Sequence, residues 1–345
     1  MLTLNRPERL KKGDRVAAVS LSWGGAGDEA LRWRYELGKR RLGEQFGLNV
    51  VEMPSTLKGS DYVYRHPKAC AEDLMQAFSD NSIRAIFSCI GGDDSIRMLP
   101  YIDFDVIRRN PKIFIGYSDT TITHFMCLKA GVASVYGPSV LGELAENIRI
   151  FDYTAHWLAR ALFHAEPLGE IPAAGEWTGE RIEWTEDNAD TAKHMRKNAG
   201  YEWLQGEGVA QGPLIGGCIE VLEMMKGTSL WPGAHQFDNA VLFFETSEDK
   251  PEPAYIEYWL RNYGSQGILQ KAAAIIWGKP YQEKYYEEYK KSILKILAEL
   301  ELNHLPVVYN LTFGHNQPMM CLPYGALARV DCNARSFSIL TSGVT

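Results

Sequence analysis

A serine that follows a short apolar run is the first residue that could do chemistry. The segment KIFIGYSDTTITHF places Ser118 and Asp119 between a β-rich run and a stretch typical of a helix. This is the context of a nucleophile elbow, in which a sharp turn exposes the hydroxyl and the next backbone N–H groups point toward the same space. Thr120 stands where the usual elbow has a second glycine, and Ser, Asp and Thr also cap helices. The motif alone leaves a nucleophile and a helix cap open.

A serine nucleophile needs a general base and a group that orients the base. His315 follows an apolar run in VVYNLTFGHNQP, in a loop punctuated by Gly and Pro, whereas the other histidines lie in helical or polar surroundings. Glu245 ends the apolar run AVLFFE, where burial would be costly without a partner. Glu248 and Asp249 lie farther into a polar turn and are typical of solvated charges. We therefore predict His315 as the base and Glu245 as its orienting carboxylate.

Metal chemistry has little support in the sequence. The eight histidines are dispersed and no H-E-x-x-H motif occurs. The six cysteines are scattered without a C-x-x-C pair, which favours buried free thiols. We therefore expect chemistry without a metal.

Charge and hydropathy limit the classes of partner. A formal net charge of -7 lacks the basic footprint that nucleic acid requires. The N-terminal segment MLTLNRPERLKKGDR has charges where a signal peptide needs its apolar run, and no apolar run approaches membrane-spanning length. We expect a cytoplasmic protein without a nucleic-acid or membrane partner.

The elements that would position these residues form an α/β pattern. In the first half, β-rich runs such as RVAAVS, AIFSCI and KIFIG each lead through a Gly- or Ser-containing turn into a helical stretch. Such alternation predicts a parallel sheet with crossover helices, whose turns meet at the carboxyl edge. The second half has the runs AVLFFE, AAAIIWG and PVVYNL, an amphipathic helix around YYEEYKKSILKILAEL and an alternating C-terminal hairpin, ALARVDCNARSFSIL. We predict an N-terminal parallel-sheet domain over residues 1–165 and a β-rich α/β domain over 207–345.

Residues 166–206 form a polar stretch rich in Trp and Glu between the two predicted domains. Long loops inside compact proteins are usually functional lids or disordered segments. The three tryptophans Trp177, Trp184 and Trp203 favour a linker that carries a substrate loop.

Five motifs in the chain resemble those of one enzyme family. IGGDDS, GYSD, GPLIGGCIEVL, LFFETSE and FGH together are similar to the serine peptidases that include L,D-carboxypeptidases and microcin C immunity peptidases. The resemblance implies a Ser-His-Glu triad with Ser118 as nucleophile, His315 as base and Glu245 as orienter. It also implies an oxyanion hole formed by the backbone N–H groups of Gly92 and Asp119.

The resemblance carries further expectations. It implies a Rossmann-like N-terminal domain, a homodimer, and close approach of the substrate to the Gly91 turn. The implied mechanism needs neither a metal nor an organic cofactor. One branch of the family removes a terminal D-amino acid from a murein tetrapeptide. The other cleaves the amide between an aspartyl group and a modified nucleotide.

The substrate loop favours the microcin branch. The segment IEWTED resembles a loop that stacks on the nucleobase, which makes Trp184 the predicted stacking residue and Trp177 the fallback. We therefore expect a peptidyl- or aminoacyl-nucleotide substrate, with the murein peptide as the alternative. Two other possibilities stay open: the tryptophans could only pack the loop against the protein, and the chain could be a non-catalytic module that holds an anion at its Gly-Gly turns.

Overall fold

The computed structural model describes residues 3–345, which form two β-sheets, a two-stranded ribbon and nine α-helices. The strands are β1 (Arg15–Val19), β2 (Asn49–Glu52), β3 (Ile83–Ser88), β4 (Ile113–Gly116), β5 (Val135–Tyr136), β6 (Gly169–Glu170), β7 (Glu176–Trp177), β8 (Arg196–Lys197), β9 (Glu202–Gln205), β10 (Val209–Cys218), β11 (Val241–Glu245), β12 (Ala274–Gly278), β13 (Val307–Leu311), β14 (Leu322–Pro323), β15 (Leu327–Asp331) and β16 (Ser336–Ile339). The α-helices are α1 (Arg32–Phe46), α2 (Ser60–Arg65), α3 (Pro67–Ser79), α4 (Phe104–Arg109), α5 (Thr121–Ala130), α6 (Asp152–Phe163), α7 (Ile219–Met225), α8 (Pro253–Ser265) and α9 (Tyr286–Glu299).

The first sheet confirms the predicted N-terminal parallel sheet. Its strand order is β14-β5-β4-β3-β1-β2, and every pairing among β1 to β5 is parallel. All four residues of β4 are buried, as are four of the five in β1. Continuous apolar runs of this kind are typical of parallel strands with both faces covered. The carboxyl ends of β4 and β5 lie side by side, which positions the turns that follow them.

The second sheet confirms the β-rich α/β part of the fold. Its order is β6-β16-β15-β10-β11-β12-β13-β9, with β10 to β13 parallel and the outer strands antiparallel. The predicted hairpin is β15–β16 and the predicted amphipathic helix is α9. In β10, a Cβ atom on Gly216 would lie 1.7 Å from the carbonyl oxygen of Phe243, so the close approach of β10 and β11 requires glycine there.

The predicted loop over residues 166–206 contains more regular structure than its composition indicated. Strand β6 joins the edge of the second sheet, β7 and β8 form the ribbon, and β9 pairs with β13. These pairings depend on backbone hydrogen bonds at sheet edges, which a polar side-chain pattern does not show. The first sheet also takes β14 from the far end of the chain. The domain limits at residues 165 and 206 stay predictions.

Apolar packing joins the two sheets. The buried core includes side chains from both of them. Five cysteines are buried within the fold and Cys332 is partly exposed, all of them free thiols. Within residues 3–345, no group of three or more His, Cys, Asp or Glu side chains could hold a metal ion. No helix in the same range is long and apolar enough to cross a membrane.

Candidate active site

Ser118 lies in a sharp turn directly after β4. Its φ is +63°, a left-handed conformation that is uncommon for a residue other than glycine. A short 3-10 turn over Ser118–Thr120 leads from there into α5. The hydroxyl of Thr120 donates a 2.8 Å hydrogen bond to the carbonyl of Tyr117, so the residue that replaces the second glycine supports the turn. The N-cap positions of the 3-10 turn and of α5 are Tyr117 and Thr120 and not Ser118, and the turn has the strand–turn–helix form of an elbow.

The structure brings Ser118, His315 and Glu245 together from three separate segments. Nε2 of His315 lies 3.0 Å from Oγ of Ser118, and Nδ1 lies 2.7 Å from Oε2 of Glu245. Glu245 is the last residue of β11, and His315 lies in the loop between β13 and β14. Because carboxylates accept and do not donate, the Nδ1 proton points to Glu245. A neutral ring in this tautomer presents the Nε2 lone pair to the Ser118 hydroxyl, which is the arrangement that general-base catalysis requires.

Tyr136, which the sequence reasoning missed, connects the carboxylate to the elbow. Its hydroxyl donates a 2.5 Å hydrogen bond to Oε1 of Glu245 and accepts a 3.1 Å bond from the backbone N–H of Ser118. Burial, followed by the nearby Glu245 charge, raises the pKa of Tyr136 well above its usual value, so the phenol stays a donor. Tyr136 ends β5, beside the end of β4. The strand-end reasoning applied to Glu245 could also have identified this tyrosine.

Two carboxylates, those of Glu245 and Glu248, lie within hydrogen-bond distance of the His315 ring. Burial lowers the pKa of His315, but the charge and hydrogen bond of Glu245, together with Glu248, outweigh it and raise the pKa well above the usual value. Oε2 of Glu248 lies 3.0 Å from Nε2 of His315. The hydrogen bond to His315, against an opposing burial effect, lowers the pKa of Glu248 to about 2. The Glu248 side chain is 46% exposed, as expected of a solvated charge, but its contact with His315 was not foreseen.

The Gly-Gly turn after β3 lies directly against the nucleophile. A Cβ atom on Gly91 would lie 2.9 Å from Cβ and 3.1 Å from Oγ of Ser118, and 3.3 Å from the backbone nitrogen of Asp119. Only glycine therefore allows this approach. Gly92, at a φ of +139°, lines the same cavity as Gly91 and Ser118. These contacts place the Gly91 turn beside Ser118 and the Asp119 nitrogen, and the oxyanion role of Gly92 and Asp119 stays a prediction.

The side chain of Asp119 is buried under the elbow and does not line the cavity. Its Oδ2 accepts a 2.9 Å hydrogen bond from the backbone N–H of Ser95, and the Ser95 hydroxyl donates a 3.0 Å bond to the Asp119 carbonyl. Burial raises the pKa of this carboxyl to about 6, against the effect of the Ser95 bonds. The side chain thus fixes the backbone of the elbow, as expected if only the Asp119 N–H meets substrate.

A cavity of about 760 Å³ opens over the nucleophile. This volume is within the range of small-molecule sites. Of the predicted site residues, Glu245 lies beneath the cavity wall, fully buried. The predicted residues that line the cavity are Ser118, His315, Gly91, Gly92 and Trp184.

Trp184 forms part of the cavity wall together with Trp23, in the turn after β1, and Arg34 on α1. Its ring is nearly parallel to that of Trp23, with centroids 6.5 Å apart, and the Arg34 guanidinium lies 4.3 Å from the Trp184 centroid. Arg34 is held by a 2.7 Å bond from Nε to the carbonyl of Leu141. Trp23 was not singled out from the sequence, although it lies in the small-residue turn after β1.

Trp177 is not available as the fallback contact. Its side chain is 4% exposed and does not line the cavity. The ammonium group of Lys279 lies 4.1 Å from its ring centroid, a cation–π contact within the fold. Next to it, Thr178 and Gln317 exchange backbone hydrogen bonds of 2.7 and 2.9 Å, so the substrate loop is anchored to the His315 loop. The fallback assignment of Trp177 is therefore wrong.

Comparison with known proteins identifies the family. Models of the LD-carboxypeptidase N-terminal domain and C-terminal domain match residues 16–137 and 211–330. The chain belongs to the LD-carboxypeptidase family. Members of this family are serine peptidases, and the present chain is such an enzyme.

Relatives of this peptidase fall in both branches of the family. The microcin C7 self-immunity protein MccF of Escherichia coli is 30% identical over 298 residues, 85% of this chain and 84% of that one. A probable murein peptide carboxypeptidase of Bacillus subtilis is 26% identical, over 99% of this chain and 95% of the relative.

Solved structures agree with the fold. An MccF-like protein from Streptococcus pneumoniae in complex with AMP superposes with a TM-score of 0.88 at 33% identity, covering 94% of this chain and 98% of that one. MccF in complex with aspartyl sulfamoyl adenosine superposes with a TM-score of 0.86 at 26% identity, covering 99% of this chain and 100% of that one.

Proposed function

We propose that this peptidase cleaves an amide bond through acylation of Ser118, with His315 as general base and Glu245 as the carboxylate that orients it. The observation that carries the proposal is the continuous set of hydrogen bonds from Glu245 through His315 to Ser118, at 2.7 and 3.0 Å. Its outer end opens into the cavity, where a substrate can reach it. A helix cap would not need a buried base and carboxylate behind the serine.

The reaction follows from this geometry. His315 Nε2 removes the Ser118 proton while Oγ attacks the carbonyl carbon, and the resulting oxyanion accepts hydrogen bonds from the backbone N–H groups of Asp119 and Gly92. His315, now an imidazolium stabilised by Glu245, gives its proton to the leaving nitrogen as the amide bond breaks. A water molecule, deprotonated by His315, then attacks the acyl-enzyme and releases the acid and Ser118.

We propose a peptidyl- or aminoacyl-nucleotide as the substrate class, with Trp184 as the stacking partner of the base. Trp184 lines the cavity, and the fixed Arg34 guanidinium against its ring limits the motion of the indole. Stacking of a base on an aromatic ring is worth about 1–3 kcal/mol. Two similar proteins of the same fold form complexes, one with AMP and one with aspartyl sulfamoyl adenosine.

Carboxylates are frequent around the cavity and bear on the acyl part of the substrate. Asp93 lines the cavity with part of its side chain in solvent. Partial burial raises the pKa of Asp93, and the charges of Asp249, Asp94 and Glu248 raise it further. Such an environment favours a positively charged group on the ligand. The free α-amino group of an aminoacyl-nucleotide meets this requirement, and so does an amino group of a murein peptide.

The murein tetrapeptide is the second candidate substrate, supported by the similarity to the Bacillus subtilis carboxypeptidase over 99% of this chain. The two candidates are separated by incubating the purified protein with a murein tetrapeptide and with an aspartyl-adenylate analogue, followed by mass spectrometry of the products. We expect Ser118-dependent cleavage of the nucleotide substrate to be faster. Faster release of a D-amino acid from the tetrapeptide would favour the second candidate.

The expected homodimer and cytoplasmic location stay predictions. Size-exclusion chromatography with light scattering tests the first, because a homodimer would have twice the chain mass of 38.8 kDa.

A further inference from the structure

Two oxygen atoms compete for one nitrogen in the active site. Nε2 of His315 lies 3.0 Å from Oγ of Ser118 and also 3.0 Å from Oε2 of Glu248. The mechanism above uses the first contact and has no role for the second. What the second contact implies depends on where the protons are.

Only a protonated imidazole fits both contacts. Glu245 accepts the Nδ1 proton, so a neutral ring would present a bare lone pair at Nε2. That lone pair can accept a hydrogen bond from the Ser118 hydroxyl. It repels the lone pairs of a carboxylate oxygen at hydrogen-bond distance. The Glu248 side chain is 46% exposed, so its carboxyl is ionised near neutral pH and has no proton to donate. The contact therefore requires a proton on Nε2, which makes His315 an imidazolium.

We propose that Glu248 holds the free enzyme in a resting state in which His315 is already protonated, and that the active form arises when this carboxylate leaves Nε2. This inference rests on the proposed role of His315 as the base. Glu248 is then a positioning residue that acts on Ser118 through His315. Its removal leaves the triad intact and makes the base available at lower pH.

The two carboxylates beside His315 differ in their freedom to move. Glu245 is fully buried and is held by the Tyr136 hydroxyl at 2.5 Å. Glu248 is 46% exposed and lies in the turn after β11, in which Lys250 has a φ of +52°. The Glu248 side chain can rotate into solvent without opening the core. Entry of a substrate over Ser118 can therefore displace Glu248 and leave Glu245 in place.

Other charged and titratable groups around His315 do not replace Glu248. The Tyr117 ring packs edge-on against the imidazole with centroids 5.1 Å apart, and its hydroxyl donates to Glu143. Arg181, on the substrate loop, lines the same cavity and helps to lower the pKa of Glu248, so it stabilises the ionised carboxylate. Asp93, Asp249 and Tyr281 also line the cavity, but Glu245 and Glu248 are the acidic side chains within hydrogen-bond distance of the ring among the described residues.

The first test measures the reactivity of Ser118 against pH with a fluorophosphonate probe, which needs no knowledge of the natural substrate. Loss of the Glu248 charge should lower the midpoint of the acid limb by about one pH unit in Glu248→Gln, since one nearby charge shifts a pKa by this order. Below the wild-type midpoint, the variant should then react about ten-fold faster. Asp249→Asn is the matched control, because it removes a cavity carboxylate that does not contact His315, and its shift should be much smaller.

The second test measures the thermal stability of wild type and Glu248→Gln against pH. The lowered pKa of Glu248 stabilises the fold above its usual value of 4.5 and loses this effect as the pH falls toward about 2. The raised pKa of His315 stabilises the fold below its usual value of 6.5 and loses this effect as the pH rises through the raised value. The deficit in melting temperature of the variant should therefore be largest between pH 4.5 and 6.5.

The two tests separate this inference from the proposed function. An unchanged acid-limb midpoint in Glu248→Gln, or a melting deficit that does not vary with pH, overturns the role of Glu248. A probe that reacts at a residue other than Ser118 overturns the triad, and the melting measurement alone then decides whether the ion pair exists.

Discussion

The Tyr136 hydroxyl donates a hydrogen bond of 2.5 Å to the Glu245 carboxylate and accepts a hydrogen bond of 3.1 Å from the backbone N–H of Ser118. One phenol thus connects the orienting carboxylate to the turn that carries the nucleophile. Because Glu245 is fully buried, each of its oxygens needs a donor, and Tyr136 and His315 supply one each. The position of His315 relative to Ser118 therefore depends on Tyr136 as well as on the triad itself.

Tyr136→Phe should slow the reaction of Ser118 with a fluorophosphonate roughly 10- to 150-fold, since a hydrogen bond to a charged group is worth about 1.5–3 kcal/mol. Tyr324→Phe is the control, because it removes another buried hydroxyl, one that donates at 2.6 Å to the Gly216 carbonyl. Both variants should melt at lower temperature, and only Tyr136→Phe should lose reactivity. Equal reactivity of the two variants would show that Tyr136 has only a structural role.

Ser118→Ala and His315→Ala should each reduce turnover by about 10⁴-fold or more, because members of a triad act as a unit. Turnover is measured by mass spectrometry of the released products, and circular dichroism checks the fold. Ser292→Ala, in α9, removes a hydroxyl remote from the cavity and should behave as wild type. Near-native turnover in either triad variant would refute the assignment.

Glu245→Gln and Glu248→Gln remove the same charge from the two sides of His315 and should have opposite effects. Glu245→Gln should reduce turnover by up to about 10⁴-fold, since the amide cannot stabilise the imidazolium or fix its tautomer as the carboxylate does. Glu248→Gln should keep turnover and extend it to lower pH. The measurement is the pH profile of turnover for both variants. A silent Glu245→Gln beside an inactive Glu248→Gln would show that the orienting carboxylate is misassigned.

Trp184→Ala should raise KM for a nucleotide substrate roughly 5- to 150-fold and leave kcat nearly unchanged, if stacking is equal in the ground and transition states. Trp177→Ala is the matched control, because Trp177 is buried away from the cavity and should mainly lower the melting temperature. Steady-state kinetics on a murein tetrapeptide should show no effect of Trp184→Ala. Equal losses on both substrates with a lower melting temperature would contradict the stacking role.

Much of the site was predictable because it lies at strand ends. Ser118 and Glu245 each follow an apolar run, and His315 follows the run that forms β13. Parallel strands of the second sheet bring Glu245 and the His315 loop to one edge, and the packing of the two sheets brings the Ser118 turn of the first sheet to them. The same apolar runs, and the helical stretches between them, also predicted the N-terminal parallel sheet and the β-rich second part of the fold.

The contacts that the sequence did not indicate depend on the path of turns. Glu248 reaches His315 because the chain folds back after β11, and a polar turn has no periodic pattern that would show this direction. Trp23 meets Trp184 only because the substrate loop crosses to the first sheet. The pairing of β9 with β13 likewise depends on a free sheet edge, which becomes visible only in the assembled fold.

The central claim is that Ser118 is the nucleophile, and mapping of a covalent adduct tests it most directly. The protein is treated with a fluorophosphonate, digested and analysed by tandem mass spectrometry, together with Ser118→Ala and His315→Ala. We expect a single adduct on Ser118 in the wild type, none in Ser118→Ala and a strongly slowed reaction in His315→Ala. An adduct on another serine that persists in Ser118→Ala would contradict the account.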